Sequence, residues 1–106
     1  MQPLPYEISG NKDSKQLIVF LHGWPDTTEL WDKIIAELDT DYLCLNVSYP
    51  NFSQKEHNKW GNDFHVIAER LKVTIDKVNG EAKRKVTVVC HDWGCMFAYY
   101  FDKTYP

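Results

Sequence analysis

An aspartate between a short apolar run and a glycine is the residue of this sequence best placed to do chemistry. The run Val86–Cys90 is followed by His91, Asp92, Trp93 and Gly94. From Cys90 to Cys95 the pattern is small-x-nucleophile-x-small-small, which predicts a sharp turn from a strand into a helix with Asp92 at its apex. Such a turn strains the backbone of its central residue and projects the side chain above the sheet. Helix N-terminal N–H groups beside Asp92 favour its anionic, nucleophilic form.

The same window fits a second interpretation, in which Asp92 is an ordinary helix N-cap that accepts hydrogen bonds from the first N–H groups of the helix. The local residues alone leave both interpretations open. The segment His22-Gly23-Trp24-Pro25 favours the first one. It follows an earlier apolar run, at the position from which a strand-to-helix turn of this kind takes its second oxyanion-binding N–H. Its glycine permits close backbone approach.

Three apolar runs predict the strands that position these residues. They are Gln16–Leu21, Tyr42–Val47 and Val86–Cys90, and each is continuous and rich in residues typical of buried parallel strands. Residues 6–9 could form an additional, earlier strand. Because ligands bind beyond the carboxyl ends of parallel strands, the residues that follow each run are the candidate site.

Helical periodicity fills the intervals between these runs. In residues 27–38, Leu30, Ile34 and Leu38 recur at helical spacing with Trp31 and Ile35 beside them, and Asp26 with Glu29 has the spacing of a capping box. Residues 62–80 carry one apolar stripe that Gly80 can end. Residues 94–105 predict a last helix before Pro106. The stripe of the second helix consists of Phe64, Ile67, Ala68, Leu71, Ile75 and Val78.

The order of elements is therefore βαβαβα, which predicts an α/β fold: a parallel sheet with helices on both faces and right-handed crossovers. With 106 residues, the chain is expected to form one domain. A three-stranded parallel sheet is marginal as a whole domain, so we expect the chain to be the front part of a larger one.

Composition excludes several classes of protein. Hydrophobic residues make up 43% and charged residues 25%, as in globular proteins, and the net charge of −3 gives no basic excess for binding nucleic acid. The apolar run 17–21 is too short to span a membrane. The N-terminus lacks the features of a signal peptide, so a cytoplasmic location is expected.

The cysteines and histidines suggest no cofactor. Cys44, Cys90 and Cys95 form no CxxC motif and are expected to be buried free thiols in a reducing compartment. His57 and His65, with Asp63, match no metal-binding spacing. The sequence thus implies neither a metal nor an organic cofactor, and it leaves the oligomeric state open.

The segments HGWPD (residues 22–26) and HDWG (residues 91–94) together resemble the α/β-hydrolase fold in its aspartate-nucleophile branch, which includes epoxide hydrolases and haloalkane dehalogenases. The resemblance covers residues 16–106, so that residues 1–106 resemble the N-terminal part of an α/β-hydrolase domain. It ends after the helix that follows the nucleophile.

The resemblance implies a role for each matching residue. Asp92 would attack a substrate carbon and form an alkyl-enzyme ester, and water would then attack the carbonyl of that ester. The backbone N–H groups of Trp24 and Trp93 would bind the resulting oxyanion. The indole of Trp93 would line the pocket. The residues that would support the loops and the pocket are His22, Gly23, Pro25, His91 and Gly94.

The resemblance favours a small apolar epoxide as the substrate. Many haloalkane dehalogenases carry Asn at the position of Trp24, whereas an aromatic residue there is more like epoxide hydrolases. Haloalkane or other hydrolytic chemistry stays open. Cys90 stands where many members have Gly, and SYPNF (residues 48–52) replaces the usual D-x-R-G-type stretch, which leaves the details of the substrate undetermined.

The family's catalytic His, its partner acid and its cap follow the nucleophile helix, beyond the part that these residues match. We therefore expect residues 1–106 alone to show no multiple-turnover hydrolysis. Two further interpretations stay open at this point: a hydrolase-like fold kept for binding, and a remnant without function.

Overall fold

The computed structural model describes residues 2–23, 28–49 and 64–105, and within them a four-stranded sheet with the strand order β1-β3-β2-β4. The elements along the chain are β1 (Tyr6–Gly10), β2 (Gln16–Leu21), a 3₁₀ turn (Thr28–Trp31), α1 (Asp32–Leu38), β3 (Leu43–Val47), α2 (Phe64–Asn79), β4 (Lys85–Cys90) and α3 (Trp93–Thr104). Asp26, Asp63, His57 and most of the loop after β3 lie outside the described residues.

The three predicted strands form and are parallel, with bounds within one residue of the prediction. β2 pairs with β3 on one side and with β4 on the other, and Leu21 stands opposite both Val47 and Cys90. The carboxyl ends of the three strands therefore meet at one edge, as the candidate site requires. The segment around residues 6–9 adds β1, which is antiparallel to β3, so the sheet is mixed.

Helices cover both faces of the sheet, as predicted. Side chains that alternate along β2 serve two separate cores, because successive residues of a strand point to opposite faces. One core joins Leu17, Val19 and Leu21 to α2, and the other joins Ile18 and Phe20 to the α1 side.

The predicted apolar face of α1 is confirmed only in part. Leu30 and Ile34 are 40% and 43% exposed, whereas Trp31 and Ile35 are 6% and 9% exposed and pack against the sheet together with the half-buried Leu38. The segment begins with a 3₁₀ turn, and the α-helix starts only at Asp32. Because a 3₁₀ turn has 3.0 residues instead of 3.6, a stripe extrapolated from Leu30 does not stay on one face.

The second predicted helix forms as expected. Ile67, Leu71 and Ile75 of α2 are buried in the larger core. Gly80 ends the helix with a φ of +56° and donates its N–H to the carbonyl of Asp76. In the described part of the chain, no helix is long and apolar enough to cross a membrane.

Candidate active site

Asp92 lies at a sharp turn between β4 and α3, which we call the elbow (Cys90–Cys95). Its backbone has φ 55° and ψ −122°, and it is the one non-glycine residue with a positive φ in the described ranges. A side chain in this region costs about 1–3 kcal/mol of backbone strain. Its side chain is exposed. The fold thus holds a solvent-accessible carboxylate on a backbone that a non-glycine residue seldom adopts.

Asp92 occupies the N-cap position of α3, but its side chain makes no capping hydrogen bond. The turn is closed by backbone groups instead. The N–H of Gly94 donates to the carbonyl of His91, and the N–H of Cys95 donates to the carbonyl of Asp92, each at 2.9 Å. The N-cap interpretation of Asp92 is therefore wrong with respect to its side chain, which is left available for other chemistry.

Gly94 lets α3 begin directly against β2. A Cβ at this residue would meet the carbonyl oxygen of Leu21 and would lie 2.7 Å from that of His22. Any side chain here would push the helix away from the strand, since real Cβ atoms essentially never come closer than 3.0 Å. Gly94 therefore fixes the distance between the elbow and the end of the central strand.

Gly23 brings the loop after β2 against Asp92. A Cβ at Gly23 would lie 2.5 Å from the Cβ of Asp92, 2.8 Å from the carbonyl oxygen of His91 and 3.1 Å from Oδ2 of Asp92. The two segments that the sequence singled out are thus in direct contact. Only a glycine leaves room for the carboxylate at this point.

His22 supports this loop from below. Its ring is fully buried, and because a carbonyl oxygen only accepts, its Nδ1 donates the 2.9 Å hydrogen bond to the Gly23 oxygen. The ring packs against Tyr49 with 4.5 Å between centroids, and the Tyr49 hydroxyl donates to the carbonyl of His22 at 2.9 Å. These contacts hold the loop in place and leave His22 inaccessible to a substrate.

Tyr49 is a structural residue that sequence reasoning missed. It follows β3 at the same sheet edge, and its ring also packs on Phe97 of α3 at 4.5 Å. Burial, first, and the nearby Cys90 and Cys95 raise the pKa of its phenol far above the usual range. Its position directly after a predicted strand was the available signal. Tyr49 joins all three segments that converge at this edge.

A family model for the α/β hydrolase fold matches residues 16–106, which is most of the chain. The chain belongs to the α/β-hydrolase fold family. This agrees with the mixed sheet, the elbow and the loop described above.

Relatives of this chain include epoxide hydrolases. Epoxide hydrolase 1 of Caenorhabditis elegans is 27% identical over 99 residues, which are 93% of this chain and 24% of that protein. A variant epoxide hydrolase from Bacillus megaterium, solved with its diol product, superposes with a TM-score of 0.77 at 27% identity, over 97% of this chain and 35% of that one. The chain thus spans about a quarter to a third of these relatives.

The fold is shared more widely than this chemistry. A marine microorganism esterase superposes on this chain with a TM-score of 0.83 at 23% identity, covering 100% of this chain and 38% of that one. At this identity the likeness shows the fold alone.

The structure describes the other predicted site residues only in part. The His91 side chain is exposed, while its backbone helps to close the elbow. Trp93 is the first residue of α3. Its side chain, Trp24 and Pro25 lie outside the described residues, so their predicted roles stay predictions.

All three cysteines are free thiols as expected, but the expected burial is confirmed only for Cys44. Cys44 is buried in the sheet, Cys90 is half-buried and Cys95 is exposed. Cys90 is the last residue of β4, one of the two edge strands of the described sheet, and Cys95 lies in the first turn of α3. Neither position is enclosed on all sides, whereas β3, which carries Cys44, is flanked by strands on both sides.

A cavity of about 780 Å³ lies between α2, β4 and α3. Cys90 and Cys95 line it, together with Val88, Phe101 and other residues, but Asp92 does not. The candidate nucleophile is therefore not part of the lining of this cavity. No cluster of three or more His, Cys, Asp or Glu side chains in the described ranges is arranged to hold a metal ion.

Proposed function

We propose that this hydrolase acts on small apolar epoxides and that Asp92 is its nucleophile. A carboxylate oxygen of Asp92 attacks a ring carbon, the carbon–oxygen bond of the ring breaks, and the released oxygen takes a proton. The product of this step is a hydroxyalkyl ester of Asp92. Water then attacks the ester carbonyl and releases a vicinal diol with the free carboxylate.

The observation that carries this proposal is the backbone of Asp92. A helix cap needs no positive φ, and the Asp92 side chain makes no capping bond. Strain of this kind persists where the surrounding structure fixes it, and it is typical of active sites. A binding protein without catalysis gains nothing from an exposed carboxylate at such a point.

The backbone N–H groups of Trp93 and Trp24 are proposed to bind the oxyanion that forms when water attacks the ester. Trp93 is the first residue of α3, and the first N–H groups of a helix have no acceptor within the helix. Trp24 directly follows Gly23, whose backbone adjoins the Asp92 carboxylate. Two donors from these segments would converge on an ester at Asp92.

The choice of epoxides over other substrates rests on two supports. Trp24 stands where an aromatic residue resembles epoxide hydrolases more than haloalkane dehalogenases. The relatives that are 27% identical carry epoxide hydrolase names. Asp92, in place of a serine, disfavours the serine-hydrolase mechanism that other proteins of this fold use.

The 106 residues by themselves are proposed to stop at the ester. Hydrolysis of the ester requires a general base, and the family's base follows the nucleophile in the chain. All four histidines in this sequence precede Asp92, and His22 is buried away from solvent. The ester should therefore accumulate instead of turning over.

The test is to incubate the chain with a reactive terminal epoxide, such as styrene oxide, and to record the intact mass. We expect one adduct with the mass of the epoxide that hydroxylamine removes. An ester is cleaved by hydroxylamine, whereas a thioether formed on the exposed Cys95 is not. Asp92→Asn should abolish the hydroxylamine-labile adduct, and Asp102→Asn, an exposed carboxylate on the same helix, should leave it unchanged.

The absence of any hydroxylamine-labile adduct, or a labile adduct that persists in Asp92→Asn, would sink the nucleophile assignment. Steady-state diol formation by residues 1–106 that disappears in Asp92→Asn would instead refute the proposed stop at the ester. A labile adduct formed from haloalkanes but not from epoxides would keep Asp92 as the nucleophile and change the substrate class.

For a longer form of the protein that contains the base, a single turnover in heavy-oxygen water separates two mechanisms. Attack of water on the ester places the label in the Asp92 carboxylate. Direct attack of water on the epoxide places it only in the diol, which would contradict the covalent mechanism.

A further inference from the structure

Two cysteines flank the elbow and are brought together by its tight turn. Cys90 is the last residue of β4, and Cys95 is in the first turn of α3. The backbone hydrogen bonds from Gly94 to His91 and from Cys95 to Asp92 fold the helix start back over the strand end. Five positions apart in sequence, the two residues become neighbours in space.

Two observations place the two thiols together. The Cys90 thiol is hydrogen-bonded to the side chain of Cys95. Both residues line the same cavity between α2, β4 and α3. A disulfide requires two cysteines that are neighbours in this way, because its geometry tolerates only short separations.

We propose that Cys90 and Cys95 are a redox-modification site at which hydrogen peroxide forms a disulfide across the elbow. The Cys95 thiolate attacks one peroxide oxygen, the O–O bond breaks, and water leaves after protonation, so that Cys95 becomes a sulfenic acid. The Cys90 sulfur then attacks the Cys95 sulfur, the S–O bond breaks, and a second water leaves. Overall, two thiols lose two electrons and two protons, and one peroxide is reduced to two water molecules.

Exposure decides which thiol reacts first. Cys95 is exposed, whereas Cys90 is half-buried. Burial, together with the neighbouring Cys95, raises the pKa of Cys90 to about 11, so that Cys90 stays a neutral thiol at pH 7. Cys95 is therefore the residue that meets the oxidant, and Cys90 is the resolving partner. Burial within the sheet protects Cys44, which serves as an internal control.

This site is independent of the proposed epoxide chemistry, because its readout is the mass of the thiols and not the reactivity of Asp92. The protein is treated with hydrogen peroxide and the remaining thiols are blocked with N-ethylmaleimide. Digestion with trypsin after Lys85 and Lys103 gives one peptide, residues 86–103, that contains both cysteines. We expect this peptide to carry no N-ethylmaleimide and to be lighter by two hydrogen atoms than the reduced peptide. Dithiothreitol should restore the reduced mass.

Variants separate the two steps. In Cys90→Ala the sulfenic acid of Cys95 has no partner, so labelling of Cys95 by dimedone should rise about tenfold over the unaltered protein. Cys44→Ala should oxidise as the unaltered protein does. The proposal is overturned if peroxide converts Cys95 to sulfinic acid while Cys90 still reacts with N-ethylmaleimide. It is equally overturned if the disulfide that forms joins two molecules.

Discussion

The loop after β2 and the elbow after β4 leave neighbouring strands at the same edge of the sheet. In each case the first residue after the strand is a histidine. His22 is fully buried, bonded to the Gly23 carbonyl and packed on Tyr49. His91 is exposed and is followed by the strained Asp92. Two similar sequence positions thus have opposite environments. The first loop is a rigid support, and the second presents a carboxylate against it.

This difference shows where the site stores its strain. The β2 loop is held by ordinary contacts, whereas the elbow holds an unfavourable φ because Gly23 and Gly94 let it pack tightly against that loop. This difference can be tested by substitutions or a change of pH that disturb one of the two segments, and four such tests follow, from the largest expected effect to the smallest.

Replacing the two histidines should show most clearly that the loop after β2 stabilises the fold and that the exposed side chain of the elbow does not. His22→Ala removes a fully buried ring and its hydrogen bond, and it should lower the free energy of unfolding by about 3 kcal/mol. His91→Ala removes an exposed side chain and should cost less than about 1 kcal/mol. Urea denaturation measures both. Equal losses would show that the two loops do not differ in this way.

Adding a methyl group at the contact between the loops should cost about 1–3 kcal/mol of unfolding free energy, because the neighbouring backbone must move. Gly94→Ala would press on the Leu21 carbonyl, and Gly23→Ala on Asp92 itself. Gly80→Ala is the matched control, since its positive φ costs about 1 kcal/mol but nothing lies within 4 Å of the added carbon. Gly23→Ala should also slow formation of the Asp92 ester. Labelling at the unaltered rate would contradict the contact.

Alkaline pH should lower the free energy of unfolding through Tyr49, which packs against the loop after β2. Burial raises the pKa of its phenol, so above pH 10 the unfolded chain loses this proton while the folded chain keeps it. The stabilising contribution is complete below pH 10 and is lost as the pH rises beyond it, by about 1.4 kcal/mol per pH unit. Denaturation between pH 9 and about 11 should show this slope, and Tyr49→Phe should reduce it. An unchanged slope in Tyr49→Phe would assign the effect to other groups.

Relieving the strain at the apex should stabilise the chain. Asp92→Gly removes a non-glycine residue from φ 55° but adds freedom to the unfolded chain, so the net gain should be about 1 kcal/mol. The same variant should form no hydroxylamine-labile adduct. A loss of stability in Asp92→Gly would mean that the Asp92 side chain stabilises the fold, contrary to a role in chemistry.

The sequence predicted the elements that obey simple periodicity. The three parallel strands, α2 with its stop at Gly80, and the elbow all have local signals, because burial on both faces, a 3.6-residue stripe and small residues around a turn can each be recognised in a short window. The sequence pattern also predicted that Asp92 and the segment after β2 lie at the same edge of the sheet. The close approach of Gly23 to Asp92 confirms this prediction.

Features that depend on distant partners could not be predicted in the same way. The face of α1 was misassigned in part because its 3₁₀ start shifts the phase. Arg70 and Thr74 are polar yet buried, since they bind backbone groups of residues 2–4, about 70 positions away in sequence. The anchoring role of Tyr49 likewise requires three segments to be assembled first. None of these contacts leaves a pattern within one element.

The most direct test of the central claim is to locate the hydroxylamine-labile epoxide adduct by fragmenting the tryptic peptide of residues 86–103. This peptide contains two exposed carboxylates, Asp92 on the elbow and Asp102 on α3, where it lines the cavity between α2, β4 and α3. If the elbow creates a nucleophile, the adduct will be on Asp92 and absent from Asp102. An adduct shared between them, or one on Asp102 alone, would mean that the strained position confers no special reactivity.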